Sequence, residues 1–554
     1  MKNIIKLPIG QADFKEIIRG GCYYIDKTAS ISTLIRDGAA SILFTRPRRF
    51  GKTTFLSMIR AFFDIREDNK DLFTKLAVMN DKEAIENWMN KYPVIYLTFK
   101  DIDGLNFNVA LDVLRGKLSS LYQGYSFIGI PEENKDAEIF TDICNGKCTV
   151  SEIRRSLEIL AKRLYSYYHQ KVIFLLDEYD VPLDKAEKNG YYREMLDIIR
   201  AMFLSVLKDC PYTEKGILTG CLRISKESLF TGLNNLAVYS VTSAKYADAF
   251  GFTEKEVTRL LSDAGLAEKS DIIRKWYDGY TIGTEHIYTP WDVISYVDML
   301  QIDINAKPEN YWANSSGNDV IRRLIDMTDA EVGDDYSTLI NKGIIKKRIV
   351  ETLTYNNLYS SAENIWSLLL MTGYLTLAGE YFPNEETALR LPNEEIRLLF
   401  DSSIDEWFSD TIKGSDRKAL FASIWEGDAD VLSKEISAYL RQTISTYDFK
   451  EHFYHAFLAG LLSGAGYIVK SNRESGEGRP DIILLDRKGG KAAVFELKRA
   501  NSIEDMEKAA EKAVNQLKDK DYGGDIIDYD EIISFGISFF RKRALVKISD
   551  RKVR

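Results

Sequence analysis

Short apolar runs at Ser41–Thr45, Val94–Phe99, Val172–Leu176 and Gly216–Thr219 punctuate the first 250 residues, with longer stretches of helical periodicity between them. Continuous apolar strands alternating with helices predict an α/β unit around a parallel sheet, because strands buried on both faces need no polar alternation. Beyond about Phe252 the pattern turns helical, broken at DGYTIGTEH and NSSGND. LRLPNEEIRLLF, around residue 390, reads as a connector entering another helix. After about Lys450 the order becomes helix, three strands, helix, strand, a separate α/β unit. The expected division is an α/β domain over 1–250, a helical lid or linker region over 251–400 and a second α/β domain over 401–554. No internal repeat and no long linker interrupts it.

The chemistry starts at SILFTRPRRFGKTTFLSMIRAFF, an apolar strand, a basic turn and an amphipathic helix. A strand-to-helix turn ending in Gly51, Lys52, Thr53 and Thr54 suits a phosphate: backbone N–H groups surround it, Lys52 reaches the β/γ oxygens and Thr53 ligates Mg²⁺. Arg49 joins the turn as a further phosphate contact. Arg46 stands where the G-x-x-x-x-G-K-[ST] pattern begins with Gly, which leaves a basic helix N-terminus as the alternative. Downstream, VIFLLDEYD is an apolar strand ending in Asp177, a candidate Mg²⁺ carboxylate, and Glu178, a candidate activator of the attacking water. GILTG ends at Thr219, placed to sense the γ-phosphate. Arg223 follows, as a charge-stabilising arginine or a plain surface residue.

A second constellation lies in GRPDIILLDRKGGKAAVFELKRA. A symmetric hairpin centred on Gly489 and Gly490 sets Asp481 opposite Lys498 and Ile483 opposite Glu496, so Asp481, Glu496 and Lys498 share one face. Two carboxylates beside an amine suit phosphodiester hydrolysis with Mg²⁺; an exposed ion-pair ladder is the alternative. Glu451 opens an upstream helix, as a further metal carboxylate or as a complement to the helix dipole. Gln516, in the following helix, reaches toward the site or faces solvent.

The 554 residues are 45% hydrophobic and 28% charged, which excludes disordered and collagen-like classes. The net charge of −9 is unevenly spread: residues 441–554 hold 21 Lys and Arg against 18 Asp and Glu, leaving −12 on the remainder. The basic tail RKRALVKISDRKVR suits phosphate contact or a solvated edge strand. Five scattered cysteines read as ordinary thiols, Cys144 and Cys148 lacking the other half of a zinc site. No apolar stretch is long enough for a bilayer and no secretory signal opens the chain, so a cytoplasmic address without membrane contact is expected.

The motifs LPIGQADFKEI, YYIDKT, TRPRRFGKTT, LLDEYDVPL, LTGCLRISKESLFTGLNNL, KWYDGYTIG, TPWDVISY, MTGYLT and SNRESGEGRPDI, in that order, resemble a bacterial family of predicted AAA-ATPase-like proteins carrying a C-terminal PD-(D/E)XK nuclease-superfamily domain. The resemblance implies ATP and Mg²⁺ as cofactors. It also implies a P-loop that tolerates Arg46, and Asp481, Glu496 and Lys498 as an intact nuclease signature. Nucleic acid, DNA ahead of RNA, is the implied partner, self-association is a further expectation, and defence or mobile-element control the implied setting. The alternative is an ATP-switched interaction module that binds without cutting.

Overall fold

β1 (Ser41–Thr45), β2 (Val94–Thr98), β3 (Val172–Asp177), β4 (Thr213–Gly220) and β5 (Leu236–Tyr239) form one all-parallel sheet in the order β2-β3-β4-β1-β5. In this computed structural model the described residues are 4–129, 135–223, 229–230, 233, 235–312, 319–326, 330–412, 416–443, 451–463, 466–471, 480–519 and 529–553. Every residue of β1 and β3 is buried, as the unbroken apolar runs require once helices cover both faces. The helices Lys52–Phe63, Val150–Tyr168 and Tyr192–Leu207 supply part of that cover, the second opened by a capping box between Thr149 and Glu152. The half-buried β5 was not foreseen: LAVY is too short for periodicity to mark it.

The strand order has one consequence for chemistry. β4 lies between β1 and β3, and parallel pairing sets Phe44 beside Thr219 and Leu176 beside Leu218. The carboxyl ends of β1, β3 and β4 therefore emerge at one edge of the sheet, where ligands of open α/β sheets bind.

The chain divides into two compact units, residues 1–314 with 346–395 and residues 315–345 with 396–554, which share out the segment 251–400. Part of that segment joins the first unit through its core. Leu260, Tyr277, Tyr296 and Leu300 pack with Leu7, and Ile5, Tyr23 and Ile25 lean on the same cluster. The opening residues of the chain are thereby held against helices some 250 positions later.

In the second unit, β6 (Ile468–Ser471), β7 (Ile482–Asp486), β8 (Lys491–Arg499), β9 (Glu531–Phe540) and β10 (Arg543–Val553) form a mixed sheet in sequence order. The helix Glu451–Leu462 precedes it, and Met506–Asp519 makes the crossover between the parallel strands β8 and β9. This is the expected αβββαβ order with one antiparallel strand added, β10, built from the basic tail. The tail's cations meet acids: Lys547 pairs with Glu507 and Glu511, and Arg551 with Glu531. Among the described residues no helix is long and apolar enough to cross a membrane.

Candidate functional site

At the sheet edge of the first unit, the chain leaves β1 through Arg46 and turns into the helix at Gly51, whose φ of +81° favours glycine. The other left-handed residue of the turn is Arg49, at φ +67°; Arg46 is not among the positive-φ residues. Arg46 needs no glycine conformation, and its side chain is put to structural use. It is fully buried and donates to the carbonyls of Thr45 and Tyr239, each at 2.9 Å, and of Tyr246 at 3.0 Å, with its guanidinium over the Phe250 ring. Burial pulls its pKa down to about 9.

The two sequence motifs meet at Asp177. Thr53 Oγ1 donates to Asp177 Oδ2 at 2.8 Å, Thr219 Oγ1 to Oδ1 at 2.5 Å and Tyr96 Oη to Oδ2 at 3.4 Å. A buried carboxylate needs donors, and hydroxyls from three elements provide them. Lys52 Nζ donates to the carbonyls of Arg46 at 3.1 Å and Pro47 at 2.9 Å. Glu178, at φ +52°, is held in a conformation uncommon outside glycine. Burial first, then the Asp177 charge, push its carboxyl above the ordinary glutamate range, against the opposing pull of Lys52.

Arg49, Gly51, Lys52, Thr53, Thr54 and Glu178 line one cleft of about 420 Å³, together with Lys100. Tyr23, Tyr24, Phe250 and Trp291 give it an aromatic wall. Tyr23 and Tyr24 come from YYIDKT and Trp291 from TPWDVISY, motifs that by themselves name no role, while Phe250 belongs to neither. Tyr96 was likewise missed, since nothing local separates it from a core tyrosine. Thr219 is buried behind Asp177 rather than facing the cleft. Arg223 does not line the cleft and pairs with Glu351 at 3.6 Å. Asp180, the third acid of VIFLLDEYD, accepts the N–H groups of Cys221 and Leu222 at 2.8 and 3.0 Å, which makes it a tether for the exit of β4.

In the second unit the hairpin differs from the symmetric one expected. Ile482 pairs with Phe495, Ile483 with Val494 and Asp486 with Lys491, so Ile483 is not opposite Glu496 and the ladder is shifted by two residues. The cause is the turn: Asp486 Oδ1 accepts the N–H groups of Lys488 and Gly489, closing a four-residue loop in place of a Gly-Gly turn. A shift of two is a whole pleat, so the face assignment survives where a shift of one would have reversed it. Asp481 Oδ2 accepts Leu497 N–H at 2.8 Å, and Lys498 Nζ donates to the buried Glu496 Oε1 at 3.2 Å. His455 Nε2 lies 3.0 Å from the carbonyl oxygen of Asp481; that oxygen only accepts, so Nε2 carries the proton.

Glu451 starts its helix, but its side chain lies outside the described residues, as do 224–228, 231–232, 234, 314–318 and 472–479 of the quoted motifs and breaks. Gln516 is half-buried on the crossover helix. Among the described residues no three His, Cys, Asp or Glu side chains gather as metal ligands, and the cysteines are free thiols.

Residues 8–230 match the family described as predicted AAA-ATPase, and residues 449–548 match the PD-(D/E)XK nuclease superfamily. A curated relative, "Uncharacterized protein in vnfD 5'region" of Azotobacter chroococcum mcd 1, is 27% identical over 534 residues, 93% of each chain. Among solved structures, that of the Aeropyrum pernix ORC2 protein in its ADPNP-ADP complexes aligns over 73% of this chain and 97% of its own. The identity is 13% and the TM-score 0.24. The chain thus joins a predicted AAA-ATPase-like domain to a PD-(D/E)XK nuclease-superfamily domain.

Proposed function

We propose that the first unit binds and hydrolyses ATP and that the second cuts nucleic acid with a divalent metal, Mg²⁺ in both. The observation that carries the reading is the 2.8 Å contact between Thr53 and Asp177, 124 residues apart in sequence, beside Lys52 and Glu178. A hydroxyl and a carboxylate from separate elements make an oxygen donor set that fits Mg²⁺. Bound there, the metal would neutralise charge on the β and γ phosphates. Lys52 exchanges two neutral carbonyl acceptors for phosphate oxygens, Gly51 lets the backbone N–H groups approach, and the aromatic wall takes the adenine face. Glu178 accepts the proton of the attacking water, a carboxylate made more basic by burial and by the Asp177 charge.

In the second unit Asp481 and Glu496 supply carboxylates for a divalent ion, with Glu451 as a third, and Lys498 orients water or meets developing charge on the phosphate. The lysine is already held at Glu496, and Asp481 is fixed by the Leu497 N–H and by His455 on its own carbonyl. DNA is the favoured substrate, in defence or mobile-element control, and Arg223 acts at most indirectly, through Glu351.

The test is purified full-length protein incubated with single- and double-stranded DNA and RNA, with Mg²⁺ or Mn²⁺ and with or without ATP, beside Lys52→Ala and Asp481→Asn. Phosphate release lost in Lys52→Ala and cleavage lost in Asp481→Asn support both halves. A folded wild type that binds nucleic acid but yields no cleavage product under any condition establishes the interaction-module alternative instead.

A further inference from the structure

Arg49 occupies the phosphate-facing turn, yet its guanidinium is anchored from behind. Nη1 donates to the Tyr311 carbonyl, lies 3.6 Å from Asp292 Oδ1, and the group stacks over Trp291 at 5.4 Å. Asp292 is fully buried in the helix Pro290–Ile302, and neither of its oxygens has a conventional hydrogen bond. A buried carboxylate left so is costly unless a cation compensates it, and Arg49 is the cation beside it.

Next to Asp292 stands Glu395, also fully buried, whose Oε1 accepts Trp312 N–H at 2.8 Å. Burial raises both carboxyls above their ordinary range, and Glu395 further, because Arg49 offsets the rise at Asp292 while Asp292 adds to it at Glu395. Arg49 is the cation that stands beside this pair of buried carboxyls. Asn310 donates to the Glu395 carbonyl at 3.1 Å, so this small network has three anchoring segments: the P-loop turn, the start of the 290–302 helix, and 310–312 with 395.

We propose that Asp292 is a positioning residue for nucleotide binding, which holds Arg49 at the wall of the cleft so that its remaining N–H groups meet the phosphates of ATP. A guanidinium has five donors in a fixed fork; one used on Tyr311 leaves others to face the cleft that Arg49 lines. The left-handed backbone at Arg49 is consistent with strain kept at a working position. Pre-ordering matters because a free arginine loses rotamer entropy on binding, whereas one already fixed does not. The inference rests on the ATP reading of the same cleft.

Its test is calorimetric titration of the full-length chain with ATP and Mg²⁺. Arg49→Ala is expected to weaken binding about tenfold, as loss of one charged phosphate contact of about 1.5 kcal/mol. Asp292→Asn, which keeps shape but removes the charge, is expected to weaken it about fivefold, and the double variant to be no weaker than Arg49→Ala alone. That non-additivity is the readout a purely structural Asp292 would not produce. Arg49→Lys, near the cleft surface and tolerant of folding, covers the case in which Asp292→Asn does not fold. It is expected to bind at least fivefold more weakly, since an ammonium cannot serve Tyr311 and phosphate in one fork. Asp292→Asn binding like wild type, a double variant showing the product of the single losses, or Arg49→Lys matching wild type overturns the proposal. Lys52→Ala separates the two failures: if it binds ATP normally the nucleotide reading falls, and if it alone loses binding only the role of Asp292 and Arg49 falls.

Discussion

Restoring the glycine that most P-loops carry should damage this protein. In Arg46→Gly the backbone meets no new demand, because Arg46 already has negative φ, but the side chain takes with it three hydrogen bonds to the carbonyls of Thr45, Tyr239 and Tyr246 and the contact with Phe250. Charged hydrogen bonds are worth about 1.5–3 kcal/mol each, yet burying the guanidinium without a carboxylate has its own cost, visible in the lowered pKa, so the gross sum overstates the loss. What remains after deletion is the Thr45 and Tyr239 carbonyls stripped of their arginine donor, the Tyr246 carbonyl left with Ala249 N–H at 3.4 Å, and a cavity of arginine size, a loss of about 3–5 kcal/mol. Glycine adds to this by loosening the unfolded chain, about 0.4–1 kcal/mol. The assay is urea unfolding of Arg46→Gly, with Arg46→Met alongside to keep much of the volume while deleting the donors. Methionine should recover part of the loss and glycine none. An Arg46→Gly protein as stable as wild type would refute the view that Arg46 is a structural clamp.

Glu178→Gln should bind ATP while phosphate release falls by about 10²–10⁴-fold. Because Glu178 must be deprotonated to act and its pKa is raised, the wild-type rate should fall with acidification at a pH above the ordinary glutamate range, and a rate flat down to that range would exclude it as the base. Gly536→Ala places a Cβ 2.7 Å from Val514 N and 3.0 Å from Ala510 O of the crossover helix, so it should destabilise by about 1–3 kcal/mol, read as a lower melting temperature; an unchanged melt would show that this helix can move away. Lys498→Ala should keep metal affinity, measured by Mn²⁺ titration, while cleavage slows, whereas Asp481→Asn should lose both without losing nucleic-acid binding; equal cleavage in the two variants would place the activity elsewhere.

Local pattern carried much of this protein. The strand-turn-helix at Gly51–Thr54, the carboxylates ending β3, and the shared face of Asp481, Glu496 and Lys498 each depend on neighbours within about a dozen residues, or on a period of two that a whole-pleat register shift leaves intact. Pairings across the fold were a different matter. The hydroxyls of Tyr96 and Thr219 reach Asp177 only because β2 and β4 flank β3, an order that periodicity does not encode. Arg46 looked like a defect in a motif until β5 and residue 246 supplied its carbonyl partners. The aromatic wall joins residues 23–24 to residue 291, and the Arg49 anchor joins residues 292, 311 and 395. A lone aspartate in TPWDVISY has no mark in sequence of being buried or of facing an arginine, since burial and the cation that compensates it arise only when distant segments pack together.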